Sequence, residues 1–232
     1  MKTILLSLTI IASSIFSISA NAVMWGTDAT GGLTAITGSR DTGTTGGITA
    51  TDPWQDGGFS LTWDISLTGN LWTYEYTVDT TSSELQIKDI SHFILEVTNT
   101  DEAFNIYDGT SSPLEGPTTY LADSESNPGL PQDIYGVKFD FGSDDGTVTY
   151  TFVTDRAPVW GVFYAKDGTY NDNFVYAYSD ALGIADFMTT DLDALNFIVR
   201  PDGVTVVPEP STIALMGIGL LLLGGIATRR RV

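Results

Sequence analysis

The chain has 232 residues, 42% of them hydrophobic and 17% charged, with 10 basic residues against 29 acidic ones and no cysteine. That length fits one domain with appendages, and the lack of cysteine excludes a disulfide framework and any thiolate metal site. The acidic excess leaves no basic patch to neutralise phosphates, which excludes nucleic-acid binding.

Residues 1–22 read as a secretory signal peptide. Lys2 supplies the positive start, Ile4 to Ile18 an apolar stretch, and Ala20-Asn21-Ala22 the small-x-small pattern that a signal peptidase pocket admits. Cleavage is expected after Ala22, so the mature chain begins at Val23. Setting aside Lys2, Glu209 and Arg229 to Arg231 leaves 6 basic and 28 acidic residues, a body charge of about −22. Acidity of this kind favours solubility and offers hard oxygen ligands to Ca²⁺. About 185 residues remain between the two ends, enough to bury roughly 70% of the unfolded surface without a staple.

Residues 23–52 are rich in Gly and Thr and carry no period, as expected of a flexible arm or of loosely held edge segments. A β-domain is expected over 53–206. It opens with a hairpin, 59–67 and 71–79, turning at Gly69-Asn70. Counting outward pairs Leu67 with Trp72, Ile65 with Tyr74, Trp63 with Tyr76 and Leu61 with Val78. The other face takes Ser66/Thr73, Asp64/Glu75 and Thr62/Thr77. One face is apolar and one polar, the pattern of an antiparallel sheet covered on one side.

Further strands are expected at 92–99, 135–141, 147–154, 159–166, 173–179 and 195–201. Asp-Gly turn signals at 56–57, 108–109, 145–146, 167–168 and 202–203 punctuate them. Residues 107–133 read as a long irregular connection, and only 180–192 has room for a short helix. The pattern predicts an all-β fold, a β-sandwich with a jelly roll as its variant.

Few residues suggest chemistry. His92 is the lone histidine; it reads as a strand residue near a sheet edge, and no nucleophile elbow accompanies it. Carboxylate pairs able to run glycoside hydrolysis arise by chance among so many acids. Asp64 and Glu75 face each other, and Asp144 and Asp145 sit in an acidic turn, so these four are candidate Ca²⁺ ligands, although no EF-hand spacing is present. Trp63 and Trp72 fall on the apolar hairpin face. Trp54 and Trp160 are freer and are candidates for stacking on a sugar. No cofactor is called for, and the body is expected to have no catalytic activity of its own.

The chain closes with "VPEPSTIALMGIGLLLLGGIATRRRV", residues 207–232. Ser211 to Thr228 is free of charge and, as a helix, spans roughly 27 Å, close to a bilayer core of ~30 Å. Arg229, Arg230 and Arg231 should hold its end in the cytoplasm, leaving the body outside. Pro208 and Pro210 keep Val207 and Glu209 extended, the shape a processing cleft binds, and Glu209 adds a charge to recognise. This order of triplet, apolar helix and arginine cluster resembles the PEP-CTERM protein-sorting signal.

The resemblance implies recognition by an exosortase, an integral-membrane cysteine transpeptidase. That enzyme would cut at or near Pro208–Pro210 and discard the helix, so the membrane is a partner only in transit. It also implies a surface or matrix protein of an exopolysaccharide-producing Gram-negative bacterium, with exopolysaccharide as a partner. "ISHFILEVTNT" and "DRAPVWGVFYAKDG" resemble segments of other proteins bearing this signal, which assigns no activity. The alternatives are a secreted carbohydrate-binding module or glycan-active enzyme with the same tail, and a single-pass protein that keeps its helix.

Overall fold

The computed structural model describes residues 22–82, 90–100, 103–109, 114–140 and 146–205. In chain order the strands begin with β1 (Ala22–Val23), β2 (Ala35–Asp41), β3 (Ile48–Ala50), β4 (Ser60–Thr68) and β5 (Leu71–Asp79). Next come β6 (His92–Glu96), β7 (Ile106–Gly109), β8 (Leu114–Tyr120), β9 (Ile134–Asp140) and β10 (Thr147–Thr154). The last are β11 (Arg156–Gly161), β12 (Phe163–Tyr170), β13 (Asn173–Ser179), β14 (Leu192–Asp193) and β15 (Ile198–Thr205). The described residues hold no α-helix. Within 180–192, where the sequence leaves room for a helix, the chain makes one 3₁₀ turn, Asp180–Gly183, and then irregular turns.

The hairpin pairs as its alternation dictates. Leu61, Trp63, Ile65 and Leu67 of β4 stand opposite Val78, Tyr76, Tyr74 and Trp72 of β5, and Asp64 stands opposite Glu75. Gly69 takes φ +63°, which a residue without Cβ reaches at no steric cost. β4 and β5 lie inside a five-stranded sheet of order β2-β4-β5-β10-β7. A second, six-stranded sheet runs β3-β13-β12-β6-β9-β8, and β1-β14 and β11-β15 form two short ribbons. Every strand pair is antiparallel.

Both large sheets feed one core. Tyr76 of β5 meets Phe93 of β6 at 6.1 Å between ring centroids, and Tyr150 of β10 meets Phe93 at 5.1 Å. These aromatic faces bury large areas and fix the two layers against each other.

The Gly/Thr-rich stretch resolves into edge strands rather than a flexible arm. β2 flanks the five-stranded sheet and β3 the six-stranded one. The expected irregular connection 107–133 also yields an edge strand, β8, with Pro117 where the ladder shifts register. The expected strand 159–166 is two strands. The chain leaves β11 at Gly161 and enters the six-stranded sheet at Phe163.

β6 is buried on both faces: all five residues of His92-Phe-Ile-Leu-Glu96 are inside. Phe93 and Leu95 point into the main core, while Ile94 joins a second cluster with Leu130, Ile134, Tyr164 and Phe197. Strict alternation then carries His92 and Glu96 to that same outer face. A polar group buried there costs free energy unless it is bonded. Where those bonds come from positions the candidate site.

Candidate functional site

Glu96 is answered by Arg200. Its Oε2 lies 3.2 Å from Arg200 Nε, its Oε1 accepts from Trp25 Nε1 at 2.8 Å, and Oε2 also accepts from the Val162 N–H at 3.0 Å. The Arg200 guanidinium lies over the Trp25 ring, 5.3 Å from its centroid. Arg40 is likewise structural. Its Nη2 donates to Ala194 O at 2.6 Å and its Nε to Leu195 O at 2.8 Å, and burial pulls its pKa down to about 10. Arg156 is buried as well.

His92 opens onto a cleft of about 590 Å³, within the range of small-ligand sites. The expectation of a sheet-edge position fails, because β6 is flanked by β12 and β9. Across the sheet, Lys166 of β12 pairs with His92, and His92 pairs with Asp140 of β9. Lys138, two residues along β9, stands opposite Ile94. Side chains of Lys166, His92 and Lys138 thus form the cleft floor.

The roof is the stretch 119–127, and its backbone is tied down from several sides. Asp123 Oδ1 accepts from Gly129 N at 3.1 Å, and Asp133 Oδ1 accepts from Ala122 N at 2.8 Å. Tyr164 donates its hydroxyl to Pro128 O at 2.8 Å. Gly129, at φ +70°, lies so close to the Tyr176 ring that a Cβ there would come within 2.2 Å of it. Asn127 hangs from this roof. Its Oδ1 is 3.2 Å from His92 Nε2, and its Nδ2 donates to Ser124 Oγ at 3.3 Å. Thr119, Ser124 and Ser126 add hydroxyls, and Glu125 adds a carboxylate at the rim.

The electrostatics follow from burial. His92, 6% exposed, has its pKa pulled down to about 4, first by desolvation and then by the fields of Lys166 and Lys138. It is therefore neutral near pH 7, and because Asn127 Oδ1 accepts, its proton sits on Nε2. Burial also lowers the Lys166 ammonium. Burial opposes charge on Lys138 too, but its bonds to Glu115 at 2.8 Å and Asp140 at 3.1 Å outweigh that and raise its pKa. Lys166 takes part in none of the ion pairs among the described residues.

The other expected site residues lie elsewhere. Asp64 and Glu75 face solvent on the outer side of the five-stranded sheet, and no group of three metal-ligating side chains is found among the described residues. Trp54 offers no stacking face: it is 0% exposed, with its ring 5.0 Å from that of Phe59. The loop "TDPWQDGG" folds inward because Trp54 fills the core, so its polar surroundings in sequence mislead. Trp160 is half-buried and packs against both core clusters. Ala22 opens β1 opposite Asp193. Asp144, Asp145, Ala20, Pro208, Glu209, Pro210, the helix 211–228 and Arg229, Arg230 and Arg231 lie outside the described residues. Among the residues described, no helix is long and apolar enough to cross a membrane.

Sequence reasoning reached His92 only as a lone histidine. His92, its partner Asn127 and the two lysines are scattered over 75 positions, and no local motif joins them. Compared with curated proteins and with solved structures, the chain matches none. A family model does match its end, and proteins with this motif are exported and processed by an exosortase: residues 206–231 are a PEP-CTERM protein-sorting motif.

Proposed function

We propose that this chain is an exported β-sandwich that an exosortase cuts within or near Pro208–Pro210, delivering the body to the cell surface or extracellular matrix. The body has no catalytic activity of its own in this reading. The motif at 206–231 carries the proposal. Two features of the body support it. The lone histidine is bonded to the amide of Asn127, and among the described residues no serine hydroxyl bonds it. The buried arginines are consumed in holding strands together.

The test compares wild type with Glu209→Ala in a host that has an exosortase, by intact mass and cell fractionation. Wild type should appear shortened, in the outer-membrane or extracellular fraction. The variant should stay in the inner membrane at its longer mass, because a recognition site built for a carboxylate is left with an unpaired donor. Identical masses and fractions would replace sorting with permanent anchoring. A second reading, that the body binds a carbohydrate, is favoured by the polar cleft at His92.

A further inference from the structure

The six basic residues of the body are Arg40, Lys88, Lys138, Arg156, Lys166 and Arg200. The three arginines are buried in the fold, and Lys88 lies outside the described residues. Both remaining lysines line one cleft, beside His92. In a body carrying about −22, the solvent-reaching positive charge of the described residues is thus gathered at a single concave site. Lys138 is already answered by Glu115 and Asp140, whereas Lys166 forms no ion pair among the described residues and, of the carboxylates, feels only the field of its chain neighbour Asp167. The rest of the lining is hydroxyl and amide: Thr119, Ser124, Ser126 and Asn127. Leu121, 59% exposed, and Tyr120 supply the apolar edge.

We propose that this cleft binds a saccharide bearing a carboxylate, with Lys166 receiving the carboxylate and Asn127, Ser124 and Ser126 meeting the ring hydroxyls. The chemistry of the walls selects the ligand. One ammonium outside any ion pair suits one anionic group, and short hydroxyl and amide side chains suit a polyhydroxylated body. The amide ties of the roof hold the site open and formed before binding, which limits the ordering cost. Charge density selects further. The acidic surface repels a polyanion along its length, while a sugar with an isolated carboxylate feels only the groups within a Debye length of ~8 Å. The neutral His92 adds no charge of its own to the floor, where Lys138 is paired and Lys166 is not in an ion pair.

The proposal rests on the surface or matrix placement for its meaning, but the two fail separately: fractionation reads the tail, and a binding measurement reads the cleft. Full-length protein in detergent is titrated by calorimetry with a gluco-oligosaccharide bearing one glucuronate unit, with the matching neutral gluco-oligosaccharide, with acetate and with inorganic phosphate. Only the oligosaccharide bearing the single glucuronate should bind. Lys166→Gln should weaken it at least about tenfold, the loss of one charge-assisted bond. Ser126→Glu, at an exposed position in the roof, should weaken it similarly while leaving the unfolding midpoint in place, and it keeps the test decisive if Lys166→Gln does not fold. Equal binding of the neutral oligomer, displacement by acetate or phosphate at equal concentration, no binding of the oligosaccharide bearing the single glucuronate, or wild-type affinity in Ser126→Glu would each overturn the assignment.

Discussion

Glu96 Oε2 and Arg200 Nε lie 3.2 Å apart, and neither side chain reaches solvent. The pair sits where the chain passes from β11 to β12. There the Val162 N–H has left the strand ladder and bonds the Glu96 carboxylate, 66 residues away, at 3.0 Å. Gly161 makes the space: a Cβ on it would come within 2.1 Å of Arg200 Nε. Glu96→Ala would leave a buried guanidinium, the Trp25 indole and the Val162 amide without their acceptor. The expected loss is about 3–5 kcal/mol, the cost of breaking a buried pair from one side. Replacing both partners, Glu96→Leu with Arg200→Met, should recover much of that loss. Denaturant titration followed by tryptophan fluorescence measures both; a loss under ~1 kcal/mol for Glu96→Ala would show that the pair does not hold the crossing together.

Gly38 of β2 stands directly opposite Trp63 of β4. The indole lies across the bare glycine, and a Cβ there would sit 2.3 Å from Trp63 Cζ2. Arg40, two residues on, stacks its guanidinium 5.1 Å from the same ring. Gly38→Ala should therefore displace the ring and cost roughly 1–3 kcal/mol, the usual penalty for overpacking. The measurement is again the denaturation midpoint, and an unchanged midpoint would mean that β2 slides to admit the methyl.

These two sites also show what the sequence makes legible. The β4–β5 hairpin is readable in full because its period of two and its Gly-Asn turn agree on one register. β2 is hidden because its strand signal is diluted by Gly38, whose smallness serves a tryptophan 25 positions later. The break at Val162 is invisible locally, since the group that compensates it comes from Glu96 on another strand. The candidate cleft is legible only as a lone histidine. Its roof comes from the proline-containing connection that reads as irregular, and what orders that segment is Asp123 and Asp133 bonding its own amides.

Asp64 and Glu75 are directly opposed on the solvent face. Two like charges in that position repel, so Asp64→Asn should raise stability by about 0.2–1 kcal/mol in the presence of a chelator. The same titration with added Ca²⁺ separates the two roles of the pair. If Ca²⁺ stabilises wild type and not Asp64→Asn, the carboxylates hold a cation, and solvation is not their main answer.

The last expectation concerns acid. His92 is bonded to Asn127, touches the Tyr164 ring at 6.0 Å between centroids, and is faced by Lys166, Lys138 and Asp140. In the unfolded chain its imidazole takes up a proton near pH 6.5; in the fold it does so only at about 4, first because burial disfavours the charge. Between those values the unfolded state holds more protons than the folded state. Stability must then fall as the pH falls through this window, and the loss is complete below about 4. The separation of the two values corresponds to roughly 3 kcal/mol. Carboxylates held below their ordinary range, such as Asp41 with its bonds from Gly43 and Thr45, add to acid unfolding at lower pH, so the histidine is isolated by difference. His92→Gln keeps an amide able to donate to Asn127 and removes the titration. Stability measured by denaturant titration at steps between pH 4 and 7 should decline more steeply in wild type than in His92→Gln, with the two curves diverging below about 6.5. Parallel curves would mean that the imidazole gains a proton in the folded state as readily as in the unfolded one, and that the cleft floor carries three positive charges in mild acid instead of two.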